Sequence, residues 1–271
     1  MEYVLGKTKR HFPLVMRKKL PNFDKLQKTC LDIISRVDED FMTDVSAKAE
    51  KIMSDKDFFK IYDSDKPIQL DQGDGSNFVK SNQAIYGNYS VVAFQEMSYE
   101  LSILSDTWPT EPSSSPLARQ RGMKSLQAPD YHPKYDERSY TKFTPFATPE
   151  VQEFLTDFGG VEQTCRSSLV KLDPHMYLTP HFDMGPEFAS RFQIPIVATK
   201  GMEMGFRENK NKKWKVWQFE EGYAYFVNTG FEHYVRNEDD KTRYQVRVCV
   251  IGQNVLNDFE SVQHDYDKEN W

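Results

Sequence analysis

Between residues 163 and 251 the chain breaks into short runs rich in β-branched and aromatic residues, with turn residues between them at short intervals. This rhythm limits the fold more than any other feature. Residues 168–172, 191–198, 203–207, 214–219, 223–227 and 243–251 each read as a strand. Short strands at such spacing are the signature of an antiparallel sandwich or barrel. The basic run at 208–213 sits between two of them and reads as a solvated hairpin loop.

The first half has a different texture. Phe23, Leu26, Cys30, Ile33 and Ile34 recur at helical spacing, and Val45, Ala49 and Ile52 continue the stripe, so residues 22–60 are expected to be helical with Asn22 as a cap. Residues 66–92 are polar with β-like runs at 67–70 and 89–92. Phe94, Met97, Leu101 and Leu104 predict a helix over 93–105. The stretch 108–116 is a loop by composition, and 119–149 reads as irregular. Within it, 131–140 is a candidate lid. Thr148 before Pro149 marks a helix start, and Gly159-Gly160 a stop. The expected organisation is a mainly β protein with flanking helices. Residues 1–160 form an extension that packs on the core and contributes to the substrate pocket. Residues 161–254 are the core, and 255–271 a polar tail that is disordered or a short helix.

Composition narrows the class. A hydrophobic fraction of 38% beside 28% charged residues builds a core and leaves a soluble surface. The net charge of −6 argues against a nucleic-acid surface and against polybasic attachment to membranes. Cys30, Cys165 and Cys249 lie at unrelated spacings with no CxxC pair, which suits reduced, buried thiols and a cytoplasmic location. The N-terminus shows no apolar signal region, and no stretch is long and apolar enough to span a bilayer.

Chemistry concentrates in His181-Phe182-Asp183, His233 and Arg243. Residues two apart on a strand share a face, so His181 and Asp183 point the same way. His233 is expected in a loop after strand 223–227, with Gly230 permitting a tight turn. Two imidazoles and a carboxylate can occupy one face of Fe(II) and leave the other open. Arg243, ten residues after His233, opens the last strand and shares its inward face with Gln245 and Arg247. A buried guanidinium is costly unless it meets an anion, so Arg243 implies a carboxylate partner. Arg191 and Gln193 alternate in the same manner, and Arg191 could take the second carboxylate of such a ligand. Arg247, Arg166 and Arg138 are candidates for binding a substrate carboxylate, against the simpler reading of Arg166 and Arg138 as surface ion pairs. Taken singly, an HxD triplet or a histidine beside a glycine turn means little; the combination is what carries weight. His175, after Asp173-Pro174, reads as a turn residue.

Residues 166–251 resemble the core of the Fe(II)- and 2-oxoglutarate-dependent oxygenases, in the branch of the aspartyl/asparaginyl β-hydroxylases and free-proline hydroxylases. The resemblance lies in the run from Arg166 through Pro174-His-Met-Tyr-Leu-Thr-Pro to His181-Phe-Asp183. It continues in Arg191-Phe-Gln-Ile-Pro-Ile, Glu221-Gly222 to Asn228, His233 to Asn237, and Arg243. It implies a double-stranded β-helix (a cupin-like jelly roll), with His181, Asp183 and His233 as iron ligands. Arg243 would hold the distal carboxylate of 2-oxoglutarate, with O2 as oxidant. The presence of Asp183 implies hydroxylation, or desaturation or ring closure, rather than halogenation. The substrate this implies is a small amino-acid-like molecule. Two alternatives are a hydroxylase of protein side chains and a metal-binding protein of the same fold without turnover. No GxSxG elbow supports a serine hydrolase.

Overall fold

The computed structural model describes residues 7–36, 68–69, 84–86, 89–96, 138, 140–183 and 185–269. The strands are β1 (Val15–Lys19), β2 (Ile68–Gln69), β3 (Ala84–Tyr86), β4 (Tyr89–Ala93), β5 (Gln95–Glu96), β6 (Lys142–Phe143), β7 (Gln163–Leu172) and β8 (Tyr177–His181). They continue as β9 (Ser190–Val197), β10 (Met202–Arg207), β11 (Trp214–Trp217), β12 (Tyr223–Val227), β13 (Glu232–Asn237), β14 (Arg243–Ile251), β15 (Glu260–Ser261) and β16 (Tyr266–Lys268). The helices are α1 (Phe23–Arg36) and α2 (Pro149–Gly159).

Two antiparallel seven-stranded sheets dominate, in the orders β15-β1-β12-β9-β14-β7-β4 and β16-β11-β10-β13-β8-β3-β2. From β7 to β14 the chain passes back and forth between them. β7, β9, β12 and β14 enter the first sheet, and β8, β10, β11 and β13 the second. That winding is a double-stranded β-helix. β1, β3 and β4, from before residue 160, pair with β12, β8 and β7 and extend both sheets.

Alternation along β14 sorts its side chains. Val246, Val248 and Val250 face outward into a core shared with Phe192, Ile194, Phe226 and the helices. Helix α1 contributes Phe23, Leu26, Cys30 and Ile33, whose three- and four-residue spacing places them on one face. Helix α2 starts where the Thr148 side chain accepts a hydrogen bond from Val151 N at 3.4 Å, with Pro149 at its first position. It ends at Gly160, whose φ of 60° a side chain would resist. Between the sheets, Val15, Tyr225 and Val227 of the first pack against Met204, Phe206 and Trp217 of the second.

Two expectations are corrected. Residues 93–96 are extended rather than helical: β4 pairs with β7 and β5 with β6, and that pairing overrides the helical spacing of apolar residues. His233 lies within β13 and not in a loop, because the turn at Asn228–Phe231 is short enough for pairing to resume at Glu232. The tail forms a 3-10 turn (Asn254–Asp258) followed by β15 and β16, and so belongs to the sheets. The remainder of the stripe over 37–60, Met97, Leu101 and Leu104, and the loop 108–116 lie outside the described residues, as does all of 131–140 except Arg138 and Tyr140.

Candidate metal centre

His181 closes β8 and stands directly across from His233 of β13. Asp183 lies just past the strand end, where its backbone N–H donates to Thr229 O at 2.9 Å. The ladder slips by a residue after His233, and the two imidazoles approach to 4.1 Å between centroids. Asp183 Oδ2 lies 3.8 Å from His181 Nε2 and 3.6 Å from His233 Nε2. All three ligand atoms fall within 4.8 Å of one another. Both histidines are buried, and Asp183 is half-buried.

The tautomer follows from the backbone. His181 Nδ1 donates to Thr179 O at 2.7 Å, and His233 Nδ1 donates to Phe231 O at 3.0 Å. Each imidazole thus spends its N–H on a carbonyl two residues earlier and turns an Nε2 lone pair toward Asp183. Burial, with the neighbouring His233, pushes His181 down to about 3, so it stays neutral and able to donate its lone pair. Burial would raise the Asp183 carboxyl, but Arg191 first, then the two histidines, hold it well below the usual carboxylate range. The Arg191 guanidinium hydrogen-bonds Oδ2 of Asp183. Phe206 stacks on His233 at 5.6 Å and closes that side. Two imidazoles and one ionised carboxylate, converging in a buried site, can hold a divalent transition metal.

The inner wall of the first sheet carries the other expected residues. Arg243, Gln245 and Arg247 alternate along β14, and Gln193 of β9 stands across from Arg247. Arg243 is fully buried, and its Nε, Nη1 and Nη2 have no hydrogen-bond partner among the described residues. Burial brings its guanidinium down to about 9, with Tyr225 opposing. Tyr225, whose charge bears on Arg243, packs in the same cluster as Phe206, the ring that stacks on His233. The Oε1 atoms of Gln193 and Gln245 are also buried without a partner there.

Arg191, expected to bind a ligand carboxylate, sits instead on Asp183. No spacing rule pairs these two residues; only the turn between β8 and β9 does. Arg166 occupies a left-handed conformation (φ 47°) in β7, where pairing with β14 shifts between Arg247 and Cys249, and its N–H donates to Tyr140 O at 2.7 Å. Arg138 lies over the Phe188 ring at 5.9 Å. His175 is exposed, with φ 58°, and meets Asp240 at 3.0 Å, as befits a turn. No helix among the described residues is long and apolar enough to cross a membrane.

No family model and no curated protein matches the chain. Similar solved structures include a 2OG-Fe(II) oxygenase family oxidoreductase from Burkholderia pseudomallei, with 12% identity over 70% of this chain and 73% of that one and a TM-score of 0.35. A viral collagen prolyl hydroxylase from Paramecium Bursaria Chlorella virus-1 shares 11% identity over 38% of this chain and 71% of that one, at 0.30. Oxalate decarboxylase from Bacillus subtilis shares 20% identity over 30% of this chain and 20% of that one, at 0.25. Likenesses this loose transfer no role to any residue.

Proposed function

We propose that this protein is an Fe(II)- and 2-oxoglutarate-dependent oxygenase that oxidises an unactivated C–H bond of a small amino-acid-like substrate. The observation that carries this reading is Arg243. A guanidinium with no exposure and, among the described residues, no partner for any of its three nitrogens is strongly disfavoured unless an anion completes it. A dicarboxylate supplies that anion.

His181, Asp183 and His233 would hold the iron through two Nε2 atoms and Oδ2. Arg243 would grip the distal carboxylate of 2-oxoglutarate with paired N–H donors. The side-chain amide of Gln193, whose Oε1 is buried without a partner among the described residues, would orient the same ligand. Arg191 keeps Asp183 ionised and directed inward. When bound, iron with 2-oxoglutarate and O2 supplies the power to break a C–H bond, releasing succinate and CO2. The carboxylate of Asp183 suits hydroxylation, desaturation or ring closure. Arg247, Arg166 and Arg138 would bind the substrate carboxylate. The run from Arg166 to Arg243 favours the branch of the aspartyl/asparaginyl β-hydroxylases and free-proline hydroxylases, and the extension before residue 161 would complete the substrate pocket. Three buried cysteines without a disulfide suit a cytoplasmic setting.

Anaerobic addition of Fe(II) and 2-oxoglutarate is expected to give a weak visible charge-transfer band, absent from the His181→Ala and Arg243→Met variants. No band in the unmodified protein would sink the proposal. Succinate release in air, screened across the common amino acids and then across peptides, separates the small-molecule reading from protein side-chain hydroxylation. Metal binding without 2-oxoglutarate consumption would leave a non-catalytic member of the fold.

A further inference from the structure

Cys249 of β14 stands directly across from Cys165 of β7 on one side and from Arg191 of β9 on the other. Both cysteines are fully buried, share a small cluster with Ala189, and are not bonded to each other. Directly opposed residues of an antiparallel pair have Cα atoms about 4.5–5.5 Å apart, within the range a disulfide spans. The third thiol, Cys30, lies in the outer core under helix α1, in a separate cluster. There burial pushes it up to about 12, which leaves it inert.

The surroundings of the opposed pair differ from those of Cys30. Cys249 has Arg191 beside it on the next strand and Arg247 two residues earlier along its own. A guanidinium beside a cysteine favours the thiolate, its reactive form. The same row leads through Arg191 to Asp183, which is half-buried at the end of the sheets. The ladder is already irregular here: pairing slips between Arg247 and Cys249, and Arg166 takes up the left-handed turn. A slipped ladder can shift locally more readily than a regular one.

We infer that Cys165 and Cys249 form an oxidisable dithiol that closes into a disulfide on exposure to a hydroperoxide, and that closure loosens the arm of the metal centre carried by Arg191. One thiolate attacks the peroxide, the O–O bond breaks, and a sulfenic acid and water (or an alcohol) result. The second thiol then attacks that sulfur, the S–S bond forms, and a second water leaves. Two thiols are oxidised by two electrons and one peroxide is reduced, with nothing left over. Closure draws the two Cβ atoms to about 3.8 Å. This contracts the row in which Arg191 sits, and the partner of Asp183 shifts with it. Losing such a partner of a metal ligand weakens metal affinity about 10–100-fold.

The test uses the full chain treated with hydrogen peroxide, quenched in acid, alkylated with N-ethylmaleimide and mapped by mass spectrometry. The expected result is a linked Cys165–Cys249 peptide that dithiothreitol releases, with Cys30 alkylated throughout. Alkylation of both sites after peroxide, oxidation to sulfinic acids, or a bond involving Cys30 overturns the assignment. Co(II) titration, followed by absorption, then compares reduced and linked protein. The expected affinity is about tenfold lower or worse in the linked form. Cys249→Ala protein should keep its affinity after peroxide. Equal Co(II) affinity in linked and reduced protein refutes the coupling. The coupling half rests on the triad holding a metal. Failure of the reduced protein to bind Co(II) would strike that reading, while the peptide map answers separately for the dithiol.

Discussion

Two buried charges in this molecule are treated in opposite ways. Glu203, on the outer side of the second sheet, is only 3% exposed and is surrounded by donors. Tyr234 donates to it at 3.0 Å and Lys268 at 2.9 Å, Tyr266 hydrogen-bonds it as well, and Arg236 stands at 4.0 Å. Arg243, on the inner side of the first sheet, is buried deeper and has no hydrogen-bond partner among the described residues. Among the described residues, the protein completes the first charge with its own side chains and offers the second no hydrogen-bond partner, which on the proposed reading a bound anion supplies. A satisfied buried charge belongs to the architecture, and an unsatisfied one belongs to a ligand.

Replacing each charge tests that contrast, and the largest effect should come from Arg243. Arg243→Met is expected to weaken 2-oxoglutarate binding by about 3–4 kcal/mol, measured by calorimetry with Co(II) in the site. The same change should leave the ligand-free protein as stable as before or more so, since an uncompensated charge has been removed from the interior. If thermal melting showed Arg243→Met to be strongly destabilised without ligand, Arg243 would have to be structural after all.

Glu203→Gln should behave in the reverse manner. It keeps the shape but loses the charge that Lys268 and two phenols complete, so urea unfolding should show a loss of about 1–3 kcal/mol. Affinity for 2-oxoglutarate should stay unchanged. A matching fall in affinity would mean the two regions are coupled through β13, where Tyr234 follows His233.

The smallest effect concerns pH. Burial opposes ionisation of Glu203, yet Tyr266, Lys268 and Tyr234 together hold its carboxyl below the ordinary 4.5. A carboxyl lowered in the folded state contributes stability that is fully present above its unfolded value and is lost as pH falls through its folded one. Melting temperatures taken downward from pH 6 should therefore fall more steeply in the unmodified protein than in Glu203→Gln below about pH 4.5. Parallel acid limbs would show that the carboxyl is not held low.

The sequence exposed the inner wall better than the outer one. Period-two alternation in β14 put Arg243 inside, and turn residues located β7, β9, β10 and β12 within a residue or two, apart from the start of β7. The Thr148-Pro149 start of α2 was equally legible, because a cap is a local device. What escaped depends on partners far along the chain. Glu203 meets Tyr266 and Lys268 only because β16 joins the second sheet through β11. The apolar spacing around Phe94 reads as helix, but it is overridden when β4 pairs with β7. The grip of Arg191 on Asp183 depends on how the chain turns between β8 and β9, and no periodicity reports that.

One detail of the histidines reaches further than the site itself. Each imidazole is oriented by a backbone carbonyl two residues back, and both lone pairs are therefore aimed before any ion arrives. A cradle prepared in this way gives little advantage to ferrous iron over nickel or copper, which bind nitrogen donors more tightly. On the proposed reading, the metal recovered with the protein would reflect which ion was abundant during its synthesis, and a nickel-loaded preparation would look correctly assembled while remaining inert.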